Sequence, residues 1–194
     1  MNQMDMMKKV IIGCLFLMIY GAAHSQNVAI KTNIPYWATA TPNLGMEFAL
    51  GRKMTLEATA GFKPFSLQED KYQKHWLAYG ELRYWTCEKF NGHFFGLHGF
   101  GGQYNIGGWD IPFWHLKKLK DVRYQGYVYG AGISYGHQWI LSNRWNLEMT
   151  IGGGYARLKH EKFPCVKCGT SMGEEETDFL GPTKGAISLI YIIK

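Results

Sequence analysis

Ionisable side chains recur at positions that alternate with apolar ones along most of the chain. In residues 145–152 the odd positions are apolar and the even positions are polar or glycine, with Glu148 among the latter. If all such segments turn one face inward, that face collects eight ionisable residues: Lys31, Glu47, Glu57, Glu81, Arg83, His98, Glu148 and Lys184. Carboxylates beside a histidine can perform general acid–base chemistry, and they can also pair with lysine and arginine.

Two interpretations of this charged face are open. An eight-stranded barrel is just wide enough for side chains to fill its interior, and buried charges are very costly unless they are paired. We therefore expect an ion-paired plug in the lumen. The alternative is a path for protons or small solutes, or an acid–base pair, although the sequence does not fix the geometry that either would need.

Ser134, His137 and Glu148 form a second candidate set. Membrane barrels that deacylate lipids use a serine, a histidine and an acid on their outer wall. Here the alternation puts Ser134 on the inward face and His137 on the outward face, so the set needs a β-bulge to come together. A lipid-modifying hydrolase is an alternative function, and we predict no catalytic residue.

Cys165 and Cys168 are separated by two residues in a segment that we predict to be a long external loop. A redox pair usually opens a helix of a thioredoxin-like unit, and a zinc site would need two more ligands, of which only His160 is near. We expect a disulfide between these two cysteines, with Cys87 left free on the opposite side of the membrane. No metal site and no cofactor are predicted.

Two more charged segments lie outside the predicted strands. Residues 111–120 are both basic and apolar, which is typical either of a segment lying on the lipopolysaccharide surface or of an ordinary solvated loop. Residues 174–176 are all glutamate and are followed by Asp178, which indicates either a cation site or a solvated run of like charge.

The first 25 residues have the layout of a secretory signal peptide. Lys8 and Lys9 precede an apolar run over residues 10–20, which is too short for a spanning helix. Small residues follow and place a cleavage site after Ser25. A lipoprotein box ending at Cys14 is the alternative, but the apolar run continues past that cysteine. The sequence therefore predicts a signal peptide over 1–25 and one domain over 26–194.

The composition and the alternating pattern of residues 26–194 predict an all-β fold. These residues contain no other long apolar run, and the chain is rich in glycine (24), tyrosine (12) and tryptophan (7). Period-two alternation predicts about eight strands, over residues 28–37, 41–50, 54–62, 76–86, 93–104, 124–139, 145–157 and 183–193.

The predicted connections alternate in length from the second strand onward. Residues 51–53, 87–92 and 140–144 are short connections, whereas 63–75, 105–123 and 158–182 are long ones. Outer-membrane barrels have short periplasmic turns and long external loops. We therefore predict a small up-and-down antiparallel transmembrane β-barrel, in which only the first connection, near residues 39–42, is shorter than expected.

Three tryptophans flank the turns that we predict to be periplasmic. Because tryptophan favours membrane interfaces, we expect Trp85, Trp139 and Trp145 to form one girdle. The alternative is a soluble sandwich or lipocalin-like barrel with these aromatic rings in its core.

Several short motifs carry a family resemblance. They are Lys31-Thr32-Asn33, Asn43-Leu44-Gly45-Met46-Glu47, Arg83-Tyr84-Trp85, Phe90-Asn91-Gly92-His93-Phe94, Gly101-Gly102-Gln103-Tyr104-Asn105, Tyr129-Gly130-Ala131-Gly132-Ile133-Ser134-Tyr135-Gly136, Arg144-Trp145-Asn146-Leu147-Glu148 and Cys165-Val166-Lys167-Cys168-Gly169. With them the chain resembles the domain-of-unknown-function family numbered 3575 over nearly the whole of residues 26–194. The resemblance implies an exported, outer-membrane-type barrel, and some members look like accessory proteins of fimbria-associated gene clusters. It brings no catalytic residues.

We expect an outer-membrane protein of a Gram-negative cell with a structural or interaction role, accessory to surface fimbriae. A small barrel that transports or binds a solute or lipid is the main alternative. The net charge is +6, but the basic residues are scattered and no nucleic-acid motif occurs. The expected partners are outer-membrane lipid, lipopolysaccharide and a surface-fibre protein, and not nucleic acid.

The predicted disulfide gives a count of reactive thiols. Labelling of the mature protein under denaturing, non-reducing conditions should find one thiol per chain, that of Cys87. Cys165→Ser should leave barrel stability almost unchanged, because a bond between near neighbours closes a very short ring and removes little entropy from the unfolded chain. Three reactive thiols would show that the bond is absent and would reopen the metal-site interpretation.

Overall fold

The computed structural model describes residues 28–65, 72–107, 123–163 and 173–193. These ranges contain one short helix and eight strands: β1 (Val28–Asn33), α1 (Ile34–Ala38), β2 (Asn43–Ala49), β3 (Met54–Lys63), β4 (Tyr72–Trp85), β5 (Gly92–Gly107), β6 (Arg123–Ile140), β7 (Trp145–Phe163) and β8 (Glu174–Ile193). The predicted signal peptide and the predicted disulfide between Cys165 and Cys168 lie outside the described residues. Within the described part of the chain, no helix is long and apolar enough to cross a membrane.

The eight strands form a closed barrel. Each strand pairs antiparallel with the one before it, and β1 closes the ring by pairing with β8, so that Val28 lies opposite Ile193. Closure gives the strands of the ring a hydrogen-bonding neighbour on each side. The prediction of an all-β, eight-stranded, up-and-down antiparallel barrel is confirmed.

Polar side chains point into the barrel and apolar side chains point out. On β2, Glu47 is completely buried, whereas the side chain of Leu44 is 60% exposed. The same alternation continues on the neighbouring strands, with Leu97 at 63% and Ile133 at 71% exposure. This distribution is the reverse of a soluble barrel, in which apolar side chains would fill the interior.

The first predicted strand is wrong over its last four residues. β1 ends at Asn33, and residues 34–37, which the alternation assigned to a strand, lie in helix α1. Pro35 lies in the first turn of this helix, where its missing N–H costs nothing and its fixed φ favours helical backbone. The short first connection therefore contains a helical turn that lies over the barrel mouth.

The predicted long connection over residues 158–182 is also largely wrong. β7 continues to Phe163 and β8 begins at Glu174, so most of this segment is paired strand. Its polar composition is typical of a loop, but its charges alternate in a way that matches across the two strands. Lys159 lies opposite Glu176, and Arg157 lies opposite Asp178.

A β-bulge interrupts β8 at Thr183. Gly152 of β7 lies opposite Lys184, but the next residue, Gly153, lies opposite Pro182, so Thr183 is the extra residue. A single extra residue changes which side chains face inward beyond that point.

The barrel wall is much taller on one side than on the other. β1 and β2 have six and seven residues, whereas β7 and β8 have nineteen and twenty. Because β1 pairs only with residues 188–193 of β8, the upper part of β8 rises above the closed ring. The longer strands continue there as an open sheet.

Inward-facing glycines make room for the larger side chains of the lumen. Substitution of an inward-facing and of an outward-facing glycine of β5 should therefore affect the free energy of unfolding differently. A side chain at inward-facing Gly96 would press against Glu81 and Ser134, whereas a Cβ at outward-facing Gly99 would meet nothing nearer than the carbonyl of Gly130, at 3.8 Å. Gly96→Val should lower the free energy of unfolding by about 1–3 kcal/mol through overpacking. The matched Gly99→Val should leave it unchanged or raise it, since valine favours strands.

Urea unfolding of both variants in detergent micelles, followed by tryptophan fluorescence, measures this difference. Equal destabilisation by the two substitutions would contradict the inward and outward assignment of β5.

Candidate functional site

Three glutamates lie side by side across neighbouring strands inside the barrel. Glu47 of β2 is opposite Glu57 of β3, which in turn is opposite Glu81 of β4. His98 of β5 continues the row, and all four side chains are buried. Like charges directly opposite one another destabilise a sheet, so this row requires nearby cations.

Arg83 contacts all four carboxylates of the lumen. It lies two residues after Glu81 on β4, and its Nε is 2.6 Å from that carboxylate. The Nη1 atom is 3.0 Å from Glu47 and 2.8 Å from Glu148 of β7, and Nη2 pairs with Glu57. A planar guanidinium with five N–H donors can bridge several carboxylates in this way, which a lysine cannot.

Two lysines complete the charge network. The Nζ atom of Lys31 is 2.6 Å from Glu47 and 3.0 Å from Glu57, and it also lies 3.2 Å from Glu148. Lys184 approaches from β8, with its Nζ atom 2.8 Å from Glu81. The structure thus brings together the eight ionisable residues that the sequence assigned to the lumen, with the Nδ1 atom of His98 3.9 Å from Glu81.

Hydroxyl groups donate hydrogen bonds to these carboxylates. The pairs are Thr55 with Glu47 at 2.5 Å, Thr59 with Glu57 at 2.8 Å, Thr150 with Glu148 at 3.0 Å, and Ser134 with Glu81. Each carboxylate therefore has at least one hydroxyl donor in addition to its cations. A network satisfied to this degree holds its members in one geometry.

A polar and aromatic layer lies above the charge network. The Nε2 atom of His98 is 2.9 Å from the hydroxyl of Thr183, the bulged residue, and Tyr79 donates a hydrogen bond of 3.2 Å to the carbonyl of that same residue. Tyr36 of α1 lies beside Tyr79. The space between this layer and Lys31 has a volume of about 30 Å³, which admits water but not a solute.

An apolar layer fills the lumen below the charges. Trp85, Phe94 and Ile190 are buried there, and Phe90 of the β4–β5 turn folds in beneath them. The guanidinium of Arg83 lies 4.3 Å from the centre of the Phe94 ring, so the charged and apolar layers are in direct contact.

The predicted tryptophan girdle is wrong for one of its three members. Trp139 and Trp145 lie on the outer wall, where they are 44% and 45% exposed. Trp85 instead points inward and is fully buried, with its indole N–H donated to Thr55 at 2.9 Å. It is two residues from Arg83 on the same strand and so shares its inward face, a signal that the sequence contained.

Ser134 and His137 do not come together as a catalytic set. Ser134 is buried in the lumen, where its hydroxyl is bound to Glu81. His137 lies on the outer wall, with its ring 4.3 Å from that of His93 and 4.5 Å from that of Trp139. The bulge that this set needed is in β8, not in β6.

The predicted acidic run lies on a strand opposite basic residues. The Arg157 guanidinium donates a hydrogen bond of 2.9 Å to Asp178 and lowers the pKa of that carboxyl. Lys159 lies 2.6 Å from Glu176 and has the same effect on its pKa through a hydrogen bond. Among the described residues, no group of three or more histidine, cysteine or acidic side chains is placed to hold a metal ion.

The residues that close the lumen are not among those predicted from the sequence. Tyr36, Tyr79 and Thr183 are uncharged, and they come from a helix, a strand and a bulge that are far apart in the chain. Only the proline before Tyr36 hinted that the chain turns over the barrel mouth at this point.

This architecture is that of a small barrel with an apolar outer wall and an ion-paired lumen. The family model described as protein of unknown function DUF3575 matches residues 10–193, and the chain therefore belongs to this family. The resemblance inferred from the motifs is confirmed. No match to the chain was found among curated proteins.

Removal of Arg83 should destabilise the barrel strongly. Arg83→Ala leaves four carboxylates close together with only the two lysines to compensate them, and loss of one partner of a buried pair costs about 3–5 kcal/mol. The matched Arg52→Ala, in an exposed turn, should change the free energy of unfolding by less than about 0.5 kcal/mol. Urea unfolding of the two variants in detergent micelles measures both effects, and a wild-type midpoint for Arg83→Ala would refute its role.

Proposed function

We propose that this protein is an outer-membrane β-barrel of a Gram-negative cell, exported by a cleaved signal peptide, with a structural or interaction role at the cell surface. The observation that carries the proposal is the apolar outer wall around a charged interior. A soluble barrel would expose this wall to water, whereas a lipid bilayer covers it.

The outer wall has the height of a bilayer core. Along β7 the outward positions from Trp145 to Tyr155 are apolar, aromatic or glycine, and the first outward charge is Arg157. On β4, Trp76 and Tyr84 bound a similar stretch of nine residues. At about 3.3 Å per residue and a tilt of about 40°, this stretch spans about 20 Å, close to the apolar band of outer-membrane barrels.

The filled lumen favours a structural or interaction role over transport. Ion pairs occupy its middle, and aromatic layers lie above and below them within the described residues. A diffusion pore would need these side chains to leave, at the cost of exposing an unpaired charge row. A small solute-binding or transport barrel is therefore the weaker candidate.

The unequal height of the barrel wall supports one orientation of the barrel in the outer membrane. The short turns after β2, β4 and β6 would face the periplasm, and the open sheet formed by the longer strands would stand above the membrane surface. There its charged side chains would meet lipopolysaccharide and proteins of the cell surface. In the narrower form of the proposal, which rests on the family resemblance, the protein is an accessory of surface fimbriae.

The location can be tested by fractionation and by tags. The protein should be recovered in the outer-membrane fraction and migrate faster in unheated than in boiled gel samples, as closed barrels do. An epitope inserted within residues 164–172 should be accessible to antibody on intact cells, whereas one inserted at Asn143 should become accessible only after permeabilisation.

Three results would count against the proposal. Recovery as a soluble periplasmic protein would refute membrane insertion, and the reverse labelling pattern would refute the orientation. Large, steady single-channel currents from purified protein in planar bilayers would favour the transport alternative.

A further inference from the structure

One edge of the open sheet has no neighbouring strand in the described structure. β8 pairs with β7 along its whole length, but on its other side β1 reaches only to residue 188. Helix α1 packs near the next few residues. Above them, among the strands that the structure describes, none pairs with residues 176–182 on this side. Residues 176–180 are exposed on both faces of the sheet.

The hydrogen-bonding groups at this edge can be assigned. Lys162 of β7 donates its N–H to the carbonyl of Gly173, so Gly173 directs its backbone groups toward β7. Backbone direction alternates along an antiparallel strand. The N–H and carbonyl groups of Glu176, Asp178 and Leu180 therefore point away from β7. Pro182 follows in the same direction, at the kind of edge position where a missing N–H is tolerated.

The side chains at this edge are acidic and apolar. Asp178 and Glu176 keep 56% and 53% of their side chains exposed although each is paired with a basic residue of β7. Leu180 is 84% exposed. A second copy of the chain would bring its own acidic edge against this one, and like charges on adjoining strands repel. The edge therefore favours a basic occupant.

We infer that residues 176–180 of β8 form a docking edge for an extended segment of a partner protein, which adds to the sheet as a further strand. Backbone hydrogen bonds to Glu176, Asp178 and Leu180 would hold this segment. Basic side chains would lie beside the two carboxylates, and the aliphatic stem of a further basic side chain would cover Leu180 on the same face. The inference rests on the proposed function only in placing this edge outside the cell.

The charges also explain why the edge stays available. Acidic residues and a proline on an exposed strand discourage pairing between identical edges, which would otherwise aggregate the protein. The same features leave a basic strand free to pair. A merely protective edge would bind no partner, and this is the outcome that the experiment must separate from docking.

The experiment uses purified full-length protein in detergent micelles and a synthetic nine-residue peptide that alternates lysine with valine. A peptide of the same length with glutamate in place of lysine is its control. The lysine peptide should bind about tenfold more tightly or better, because its charges complement the edge, and fluorescence anisotropy of the labelled peptides measures the difference. Equal binding of the two peptides, or binding of neither, would overturn the inference.

Two substitutions of one residue test whether the backbone carries the binding. Leu180→Pro removes an N–H that β7 does not use and places a ring in the path of the added strand, so it should weaken binding about tenfold or more. Leu180→Ala keeps the N–H and should weaken binding by no more than about threefold, as expected for the loss of part of an apolar contact. Equal effects of the two variants would refute strand addition.

Amide hydrogen exchange provides an independent measurement that needs no variant. In the free protein the amides of Asp178 and Leu180 should exchange rapidly, whereas those of Thr177 and Phe179, which point toward β7, should be protected. The lysine peptide should protect the first pair. Protection of all four amides in the free protein would show that the edge is already covered and would overturn the inference. Binding in micelles does not depend on cellular location, so failure of this inference and failure of the proposed function are separable.

Discussion

The charge row inside the barrel is the interaction on which the rest of the structure depends. Glu47, Glu57 and Glu81 are cross-strand neighbours, and Glu148 faces them from β7. In a narrow lumen these carboxylates cannot remain ionised unless cations reach all of them at once. The guanidinium of Arg83 contacts all four carboxylates, and Lys31 and Lys184 add two more positive charges beside them. Because all of these ion pairs except that of Arg83 with Glu81 join different strands, the network also ties the two sides of the ring together.

The same network explains the inverted distribution of polarity. A lumen occupied largely by ion pairs leaves little interior for the leucines, isoleucines and methionines of the alternating pattern, so most of them cover the outside. Inward glycines such as Gly96 provide the width that the larger side chains need. A barrel of this kind gains little from burying apolar surface within itself, and its outer wall remains apolar. The charged interior and the proposed membrane location are thus two consequences of one pattern.

The unequal strand lengths separate the anchoring part of the molecule from the part that is proposed to meet partners. The ring around the charge row is closed because β1 pairs with residues 188–193 of β8. Above it, the bulge at Thr183 shifts the register, and β8 continues beside β7 with its other edge unpaired by any described strand. Cross-strand pairs such as Lys159 with Glu176 hold this upper hairpin in strand conformation without a hydrophobic core. A surface that combines exposed backbone groups with acidic and apolar side chains is suited to contact with another protein.

The sequence by itself determined the fold class, the number of strands and the composition of the lumen, because a period of two assigns each side chain to one face of a strand whatever its neighbours are. For the same reason it contained the inward position of Trp85, although its place beside a turn indicated a girdle. Only the tertiary structure decided where pairing ends. The long β7–β8 hairpin and the bulge at Thr183 depend on which residue lies opposite which, and composition read along one segment cannot supply that. The exposed edge of β8 also depends on pairing between distant segments. It is exposed because β1, at the other end of the chain, is too short to pair with β8 beyond Ser188.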